Sequence, residues 1–426
     1  MFETNKLLFG CVADDFTGGS DASSFLTLGG MRTILSCGVP GKDFHLPADC
    51  DAVVIALKSR TQETAHAVSD SLDAFRWLQA HGAEHLYFKY CSTFDSTPQG
   101  NIGPVADAVL ETLGFRGTIL CPALIANDRK VKEGILYVKG VPLAESPMRN
   151  HPLTPMTQSR IADLMAPQSA YDALEIHSDE LRGDEKSVKT KIKAFSQDRK
   201  HWYIIPDYTE EADAEKIVSL FGDMPFLTGG SGILAALARH IKGNGSAQHT
   251  FPGTEGKALL VAGSCSTATH AQTLWYEKNG GELLRLTDDG LLDGSENPES
   301  IWNRLREMNA AAPLVYSYDT PEGLAKKRDE KGKRLSALIE KALSGTAALA
   351  VKNGVTRIIA AGGETSGAVT QALGYQSFWI GESIAPGVPV LIPVEDQRIR
   401  LVLKSGNFGQ EDFFGRALAL TGGKDI

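Results

Sequence analysis

Short apolar runs alternate with amphipathic stretches along nearly the whole chain, the arrangement of mostly parallel sheets covered by helices. In the first half the pattern predicts strands at Leu7–Ala13, Thr33–Cys37, Ala52–Leu57, His85–Tyr90 and Thr118–Cys121. Helical periodicity is clearest in Thr64–Gln79 and Pro104–Leu113. The stretch Lys132–Glu145 breaks the rhythm, because two apolar runs flank Lys139-Gly140 and read as a β-hairpin. After Pro152–Met156 the alternation resumes, with strands near Ala173–His177, Trp202–Pro206 and Pro225–Thr228. Lys242–Gly256 is rich in Gly, Asn, Ser and Thr, lacks apolar periodicity, and reads as a linker. A fresh α/β series follows, with strands at Ala258–Ala262, Glu282–Leu286, Leu314–Tyr318, Ile358–Ala361, Val388–Ile392 and Ile399–Leu403. The polar stretch Pro321–Leu349 suits a surface helix. The expected fold is therefore two α/β domains, residues 1–241 and 257–426 joined by the linker 242–256, each a mostly parallel sheet flanked by helices, with a cleft between them.

Length supports two domains, since 426 residues exceed what one hydrophobic core usually carries. A net charge of −9 without a basic stripe argues against nucleic acid as a partner. The same field means that an anionic substrate would need local cations. The opening residues lack the apolar segment of a secretory signal, and no apolar run is long enough to span a bilayer, so a cytoplasmic location without membrane partners is expected. Six cysteines, at 11, 37, 50, 91, 121 and 265, form no Cys-x-x-Cys pair and read as reduced thiols. His81 and His85 have helical spacing, but Gly82 intervenes and a metal role is not expected there.

Candidate chemistry gathers after strands. Ala13-Asp14-Asp15-Phe16-Thr17-Gly18-Gly19-Ser20-Asp21 places acids at the carboxyl edge of the opening strand, where open α/β sheets bind ligands. Of Asp14, Asp15 and Asp21, one carboxylate could take a proton from a substrate hydroxyl and another could orient it or hold a metal; helix capping is the competing role for any one of the three. Lys58-Ser59-Arg60-Thr61 puts cations at the end of another strand, and the Arg60 fork suits a carboxylate, unless it is only a surface charge. Lys89, Asp95, Ser96 and Asn101 follow a third strand and could complete a polyhydroxy-acid pocket, or merely form a capping turn. In the second half, Gly263–Thr269, Gly362–Gly367 and Lys404–Gly409 are small-residue turns between strand and helix, and three in one domain suit a nucleotide. Leu227–Gly232 is a similar loop near the domain junction. Neither a Gly-x-x-x-x-Gly-Lys-[Ser/Thr] phosphate loop nor a Gly-x-Gly-x-x-Gly fingerprint is present.

These segments, in this order and over nearly the whole chain, resemble the four-carbon acid sugar kinase family. Asp14-Asp15-Phe16-Thr17-Gly18 looks like its N-terminal signature; Leu227–Gly232, Gly263–Ser266, Gly362–Thr365 and Ser405–Gly409 look like later ones. Cys91–Thr97 and Lys404–Gly409 look most like the 3-oxo-tetronate branch; threonate and erythronate kinases tend to carry Ile-Asp-Ser-Thr in the first place. The resemblance implies a sugar-acid domain followed by an ATP domain, with Mg²⁺ accompanying the nucleotide. It implies ATP contacts at Ser264, Ser266, Gly362, Gly363, Glu364, Thr365 and Gly406, and a homodimer is a candidate assembly. Two departures stand out. Cys121–Arg129 ends Asn127-Asp128-Arg129 where Asn-Gly-Arg is usual, and Pro206-Asp207-Tyr208 replaces an Asp-Ala pair followed by a small apolar residue. In the combined reading, Arg60 and Lys89 hold the acid's carboxylate and an Asp deprotonates its terminal hydroxyl. The rivals are a binding protein without chemistry, and an aldolase or dehydratase acting on the same acids.

Overall fold

A computed structural model describes residues 7–151, 153–243, 251–264, 266–317 and 330–423. The chain divides into two compact units, Met1–His249 and Thr250–Ile426. Part of the expected linker, residues 244–250, lies outside the described residues, as do Tyr318 and residues 321–329 of the expected surface helix; the described part of that helix is Glu330–Lys352.

The first unit holds β1 (Phe9–Ala13), β2 (Thr33–Cys37), β3 (Ala52–Ala56), β4 (His85–Lys89), β5 (Gly117–Cys121), β9 (Ala173–Ile176), β10 (Trp202–Pro206) and β11 (Phe226–Gly229). They form a parallel sheet in the order β2-β3-β1-β4-β11-β5-β10-β9. β1, β3 and β5 are buried along their whole length, as expected of parallel strands covered on both faces. Three helices set the site: α1 (Phe16–Leu28), α2 (Thr64–Ala80) and α3 (Ile102–Leu113). α1 approaches the sheet closely; a Cβ at Gly19 would lie 2.8 Å from the Ala56 Cβ.

The chain leaves β1 toward β2 and β3 on one side, while β4 pairs with it on the other, so a topological switch point lies at β1. Register aligns the strand ends there: Ala13 pairs with both Ala56 and Lys89. The loops after β1, β3 and β4 therefore start at the same level.

The expected hairpin is one half of a three-stranded meander, β6 (Arg129–Lys132), β7 (Ile135–Val138) and β8 (Val141–Pro142). The first turn, Glu133-Gly134 with φ 52° and 71°, is of the same kind as Lys139-Gly140 with 51° and 82°, so Gly134 was a turn signal that the sequence reading left unused. Asp207, 1% exposed, fastens this meander to the body: its carboxylate accepts from the N–H groups of Glu133 (2.9 Å), Gly134 (3.1 Å) and Ser178 (2.9 Å), and from the Ser178 hydroxyl (3.1 Å).

The second unit holds β12 (Ala258–Ala262), β13 (Leu283–Arg285), β14 (Leu314–Tyr316), β15 (Arg357–Ala361), β16 (Ser377–Ala385), β17 (Val388–Pro393) and β18 (Arg400–Lys404), ordered β13-β14-β12-β15-β18-β17-β16. The first five in that order run parallel; β17 and β16 are added antiparallel. β16 was not expected, because Gly381-Glu382-Ser383 interrupts its apolar pattern where two residues are exposed. Ala262 pairs with Ala361, and Ala361 with Lys404, so three strand ends again finish level.

Candidate active site

At the switch point of the first unit, β1 delivers Asp14 and Asp15 into the turn before α1. Asp15 caps that helix, its Oδ1 accepting from the Gly18 N–H at 2.8 Å. Arg60, from the loop after β3, closes on both acids: Nε donates to Asp14 Oδ2 (2.9 Å), and Nη2 donates to Asp14 Oδ1 (2.8 Å) and to Asp15 Oδ1 (2.8 Å). Its remaining nitrogen, Nη1, lies 3.8 Å from Asp95 Oδ2. The guanidinium is thus largely engaged by protein carboxylates, and the two N–H groups of Nη1 are what it has left to offer a ligand.

Burial pushes the Asp14 carboxyl above the ordinary carboxylate value against the pull of Arg60. Burial likewise raises Asp21, opposed by Lys89 and by the hydroxyl of Ser231, which donates to it. Lys89, 4% exposed, stands beside α1: its Nζ donates to the Tyr90 carbonyl at 2.8 Å, and a Cβ at Gly18 would come within 3.1 Å of it. The same Cβ would come within 2.5 Å of Asp15 Oδ1, so a larger residue at Gly18 would crowd both charged groups at the start of the helix. The loop after β4 is held by Thr93, whose hydroxyl donates to Asp95 Oδ1 at 2.6 Å. Between them Phe94, fully buried, adopts φ 59°, a costly conformation for a large side chain of the kind that collects in functional loops.

Asn101 is placed differently from the expectation. Its Nδ2 donates to the carbonyls of Ser59 (2.7 Å) and Gln62 (2.9 Å), and its Oδ1 accepts from the Thr64 hydroxyl (2.9 Å). The amide laces the Arg60 loop to the starts of α2 and α3. Ser96 donates to Gln168 Oε1 at 2.6 Å. The loop after β11 is pinned by tyrosine hydroxyls, Tyr87 to the Gly230 carbonyl (2.7 Å) and Tyr208 to that of Gly232 (3.1 Å). Asp128, where the resemblance has glycine, adopts φ 57°, which explains why glycine is usual there and why Asp is tolerated. Ser231 escaped the sequence reading because its acid, Asp21, lies 210 positions away, and Thr93, two residues before Asp95, was read only as part of the turn.

In the second unit the helix Gly363–Leu373 opens on Gly362, φ 127°, with no side-chain cap. A Cβ at Gly362 would lie 3.0 Å from Thr365 Oγ1 and 3.2 Å from the Ser264 Cβ; one at Gly406 would lie 2.3 Å from Ser264 Oγ. Ser264, Gly362, Thr365 and Gly406 are thereby brought together at the ends of β12, β15 and β18. Ser266 caps the helix Thr267–Lys278 through the Thr269 N–H at 3.2 Å, and its hydroxyl donates to the Gly406 carbonyl at 2.6 Å. Gly363 and Glu364 are exposed at the first turn of their helix. The N-terminal N–H groups of this helix have no side-chain cap and stand among glycines and hydroxyls, an arrangement that fits a nucleotide's phosphates. Lys404 and Gln272 were missed. Gln272 Nε2 donates to the carbonyls of Phe408 (2.9 Å), Gly409 (3.2 Å) and Gln410 (3.0 Å), tying down the loop after β18.

Among the described residues, no cluster of His, Cys, Asp and Glu could hold a metal ion, no helix is long and apolar enough to cross a membrane, and the five cysteines are free.

Comparison with known proteins agrees with this geometry. A family described as a sugar-binding N-terminal domain matches residues 9–237, and one described as a nucleotide-binding C-terminal domain matches residues 259–414. A 3-oxo-tetronate kinase of Brucella melitensis is 41% identical over 420 residues, covering 97% of this chain and 95% of its own. One from Pseudomonas fluorescens is 40% identical over 424 residues, 98% of each. The crystal structure of the Haemophilus influenzae protein HI1011, of the DUF1537 family, superposes with a TM-score of 0.87 at 37% identity, covering 97% of this chain and 100% of that one. With both domains matched and kinship running end to end, the chain belongs to the four-carbon acid sugar kinase family.

Proposed function

We propose that this protein transfers the γ-phosphoryl group of ATP to the terminal hydroxyl of a four-carbon sugar acid, converting 3-oxo-tetronate to 3-oxo-tetronate 4-phosphate. The observation that carries the substrate is the full-length similarity to proteins named 3-oxo-tetronate kinase, at 37–41% identity. The first unit would bind the acid and the second the nucleotide.

Geometry refines the roles. Both carboxylate oxygens of Asp14 are occupied by Arg60, whereas the hydrogen bonds to Asp15 fall on Oδ1. Asp15 also keeps a side chain 32% exposed against 6% for Asp14. Asp15 Oδ2 is therefore the better placed group to take the hydroxyl proton, with Asp14 and Arg60 holding it in position. Lys89 and the Nη1 edge of Arg60 are the cations available to the substrate carboxylate, and Asp21 and Asp95 suit its hydroxyls. Asn101, spent on backbone carbonyls, is a positioning residue for Arg60. In the second unit Ser264, Thr365 and the N–H groups opening the helix Gly363–Leu373 would receive phosphates, while Glu364, an exposed carboxylate, suits a ribose hydroxyl. Mg²⁺ would arrive with ATP and spread the phosphate charge, in keeping with a reaction that depends mainly on positioning and electrostatics.

The test is ADP release, measured over threonate, erythronate and their 3-oxo forms. The expected result is turnover with a 3-oxo acid that exceeds the others by at least tenfold in kcat/KM. Preference for threonate or erythronate would move the chain to a sister activity, and release with none of the four would end the kinase reading.

A further inference from the structure

Lys404 is the last residue of β18 and is 1% exposed. A buried ammonium needs partners for three protons, and it finds three oxygens: Thr269 Oγ1 (2.8 Å), the Gly406 carbonyl (3.0 Å) and the Ser405 carbonyl (3.3 Å). The Phe413 ring lies 5.5 Å below it. Among the described residues no charged group acts on it; burial lowers its pKa to about 8. A cation kept in the interior without a carboxylate is expensive, and its contacts show what it does there. The Gly406 carbonyl takes three donors at once: Lys404 Nζ, Ser266 Oγ (2.6 Å) and Thr269 Oγ1 (2.9 Å).

Peptide planarity gives this convergence a consequence on the opposite side. In a trans peptide the carbonyl and the following N–H point in opposite directions. With the Ser405 and Gly406 carbonyls drawn toward the ammonium, the N–H groups of Gly406 and Asn407 are turned away from it. Neither of those N–H groups has a hydrogen-bond partner among the described residues. Gly406 has no side chain to cover them, and Asn407 is exposed. Consecutive N–H groups presented in this way form an anion-binding concavity.

We infer that Lys404 is a positioning residue which, from beneath, aims the Gly406 and Asn407 amides as a cradle for a phosphate group of the nucleotide. This rests on the assignment of the second unit to ATP and specifies how a chain without a phosphate-loop lysine presents donors to phosphate. The ammonium does not touch the phosphate; it polarises and orients the peptides that do.

Calorimetric titration of the full-length protein with Mg-ADP and with adenosine tests the assignment. Lys404→Met keeps the aliphatic stem and removes the charge. The expected result is at least a tenfold loss of ADP affinity with adenosine affinity unchanged, and a raised KM for ATP with the KM for the sugar acid unmoved. Thr269→Val removes one donor to the same carbonyl and should give a smaller loss of the same selectivity, which decides the matter if Lys404→Met does not fold. Equal losses for ADP and adenosine would reduce Lys404 to a structural role, and unchanged ADP affinity would overturn the cradle while leaving the nucleotide reading intact. A wild-type protein that binds neither would overturn the nucleotide reading itself.

Discussion

Lys404 ought to weaken the free protein in a way that pH exposes. Its pKa falls from 10.5 to about 8 on folding, through burial. Between those two values the unfolded chain holds more protons than the folded one, so stability rises with pH across the window from about 8 to 10.5. At about 1.4 kcal/mol per pKa unit the ceiling is about 3 kcal/mol, most of which is recovered between pH 7 and 10. Below pH 8 the cost is present in full and does not change further. The groups packed against Nζ from neighbouring elements are Thr269, Ser405, Gly406 and Phe413, none of which titrates there. Unfolding in urea at pH 7, 8, 9 and 10, run in parallel on wild type and Lys404→Met, isolates the effect, because every other titration is common to both. The wild type should gain roughly 2–3 kcal/mol on the variant over that range. Parallel pH curves would refute the reasoning, since they would mean that the folded ammonium keeps an ordinary lysine pKa and is not desolvated.

Three further outcomes follow from the geometry. Asp15→Asn should lower kcat by about a hundredfold or more with little change in ATP affinity by calorimetry, as expected for loss of a general base. Asn101→Ala frees the carbonyls of Ser59 and Gln62 and should cost about 2 kcal/mol of stability while raising the KM for the acid more than that for ATP, measured by denaturation and steady-state kinetics. Gly406→Ala forces a Cβ to within 2.3 Å of Ser264 Oγ and should impair nucleotide binding by calorimetry while sugar-acid binding persists.

The fold was largely legible because parallel strands buried on both faces leave continuous apolar runs. β1, β3 and β12 were read to within two residues for that reason. β16 was hidden because its pattern is broken in the middle, whereas the β6–β7 turn offered a glycine signal, Gly134, that went unused. At the candidate site, residue types near strand ends were visible, but their pairings were not. Arg60 looked like a ligand for an external acid and proved to be engaged by Asp14 and Asp15, a contact spanning 46 positions in sequence. Lys404 stood inside a quoted segment and was passed over, because burial of a charge is a property of packing that spacing does not reveal.

The carboxylate that fastens the small meander carries a constraint on how this chain can change. Asp207 is almost wholly enclosed, and two of its four donors are amides of the β6–β7 turn. Trimming the meander to shorten the protein would strip those donors and strand a negative charge in the interior. Truncation and replacement of Asp207 by a neutral side chain must therefore be made together, and a library that samples the two separately would score each as a failure.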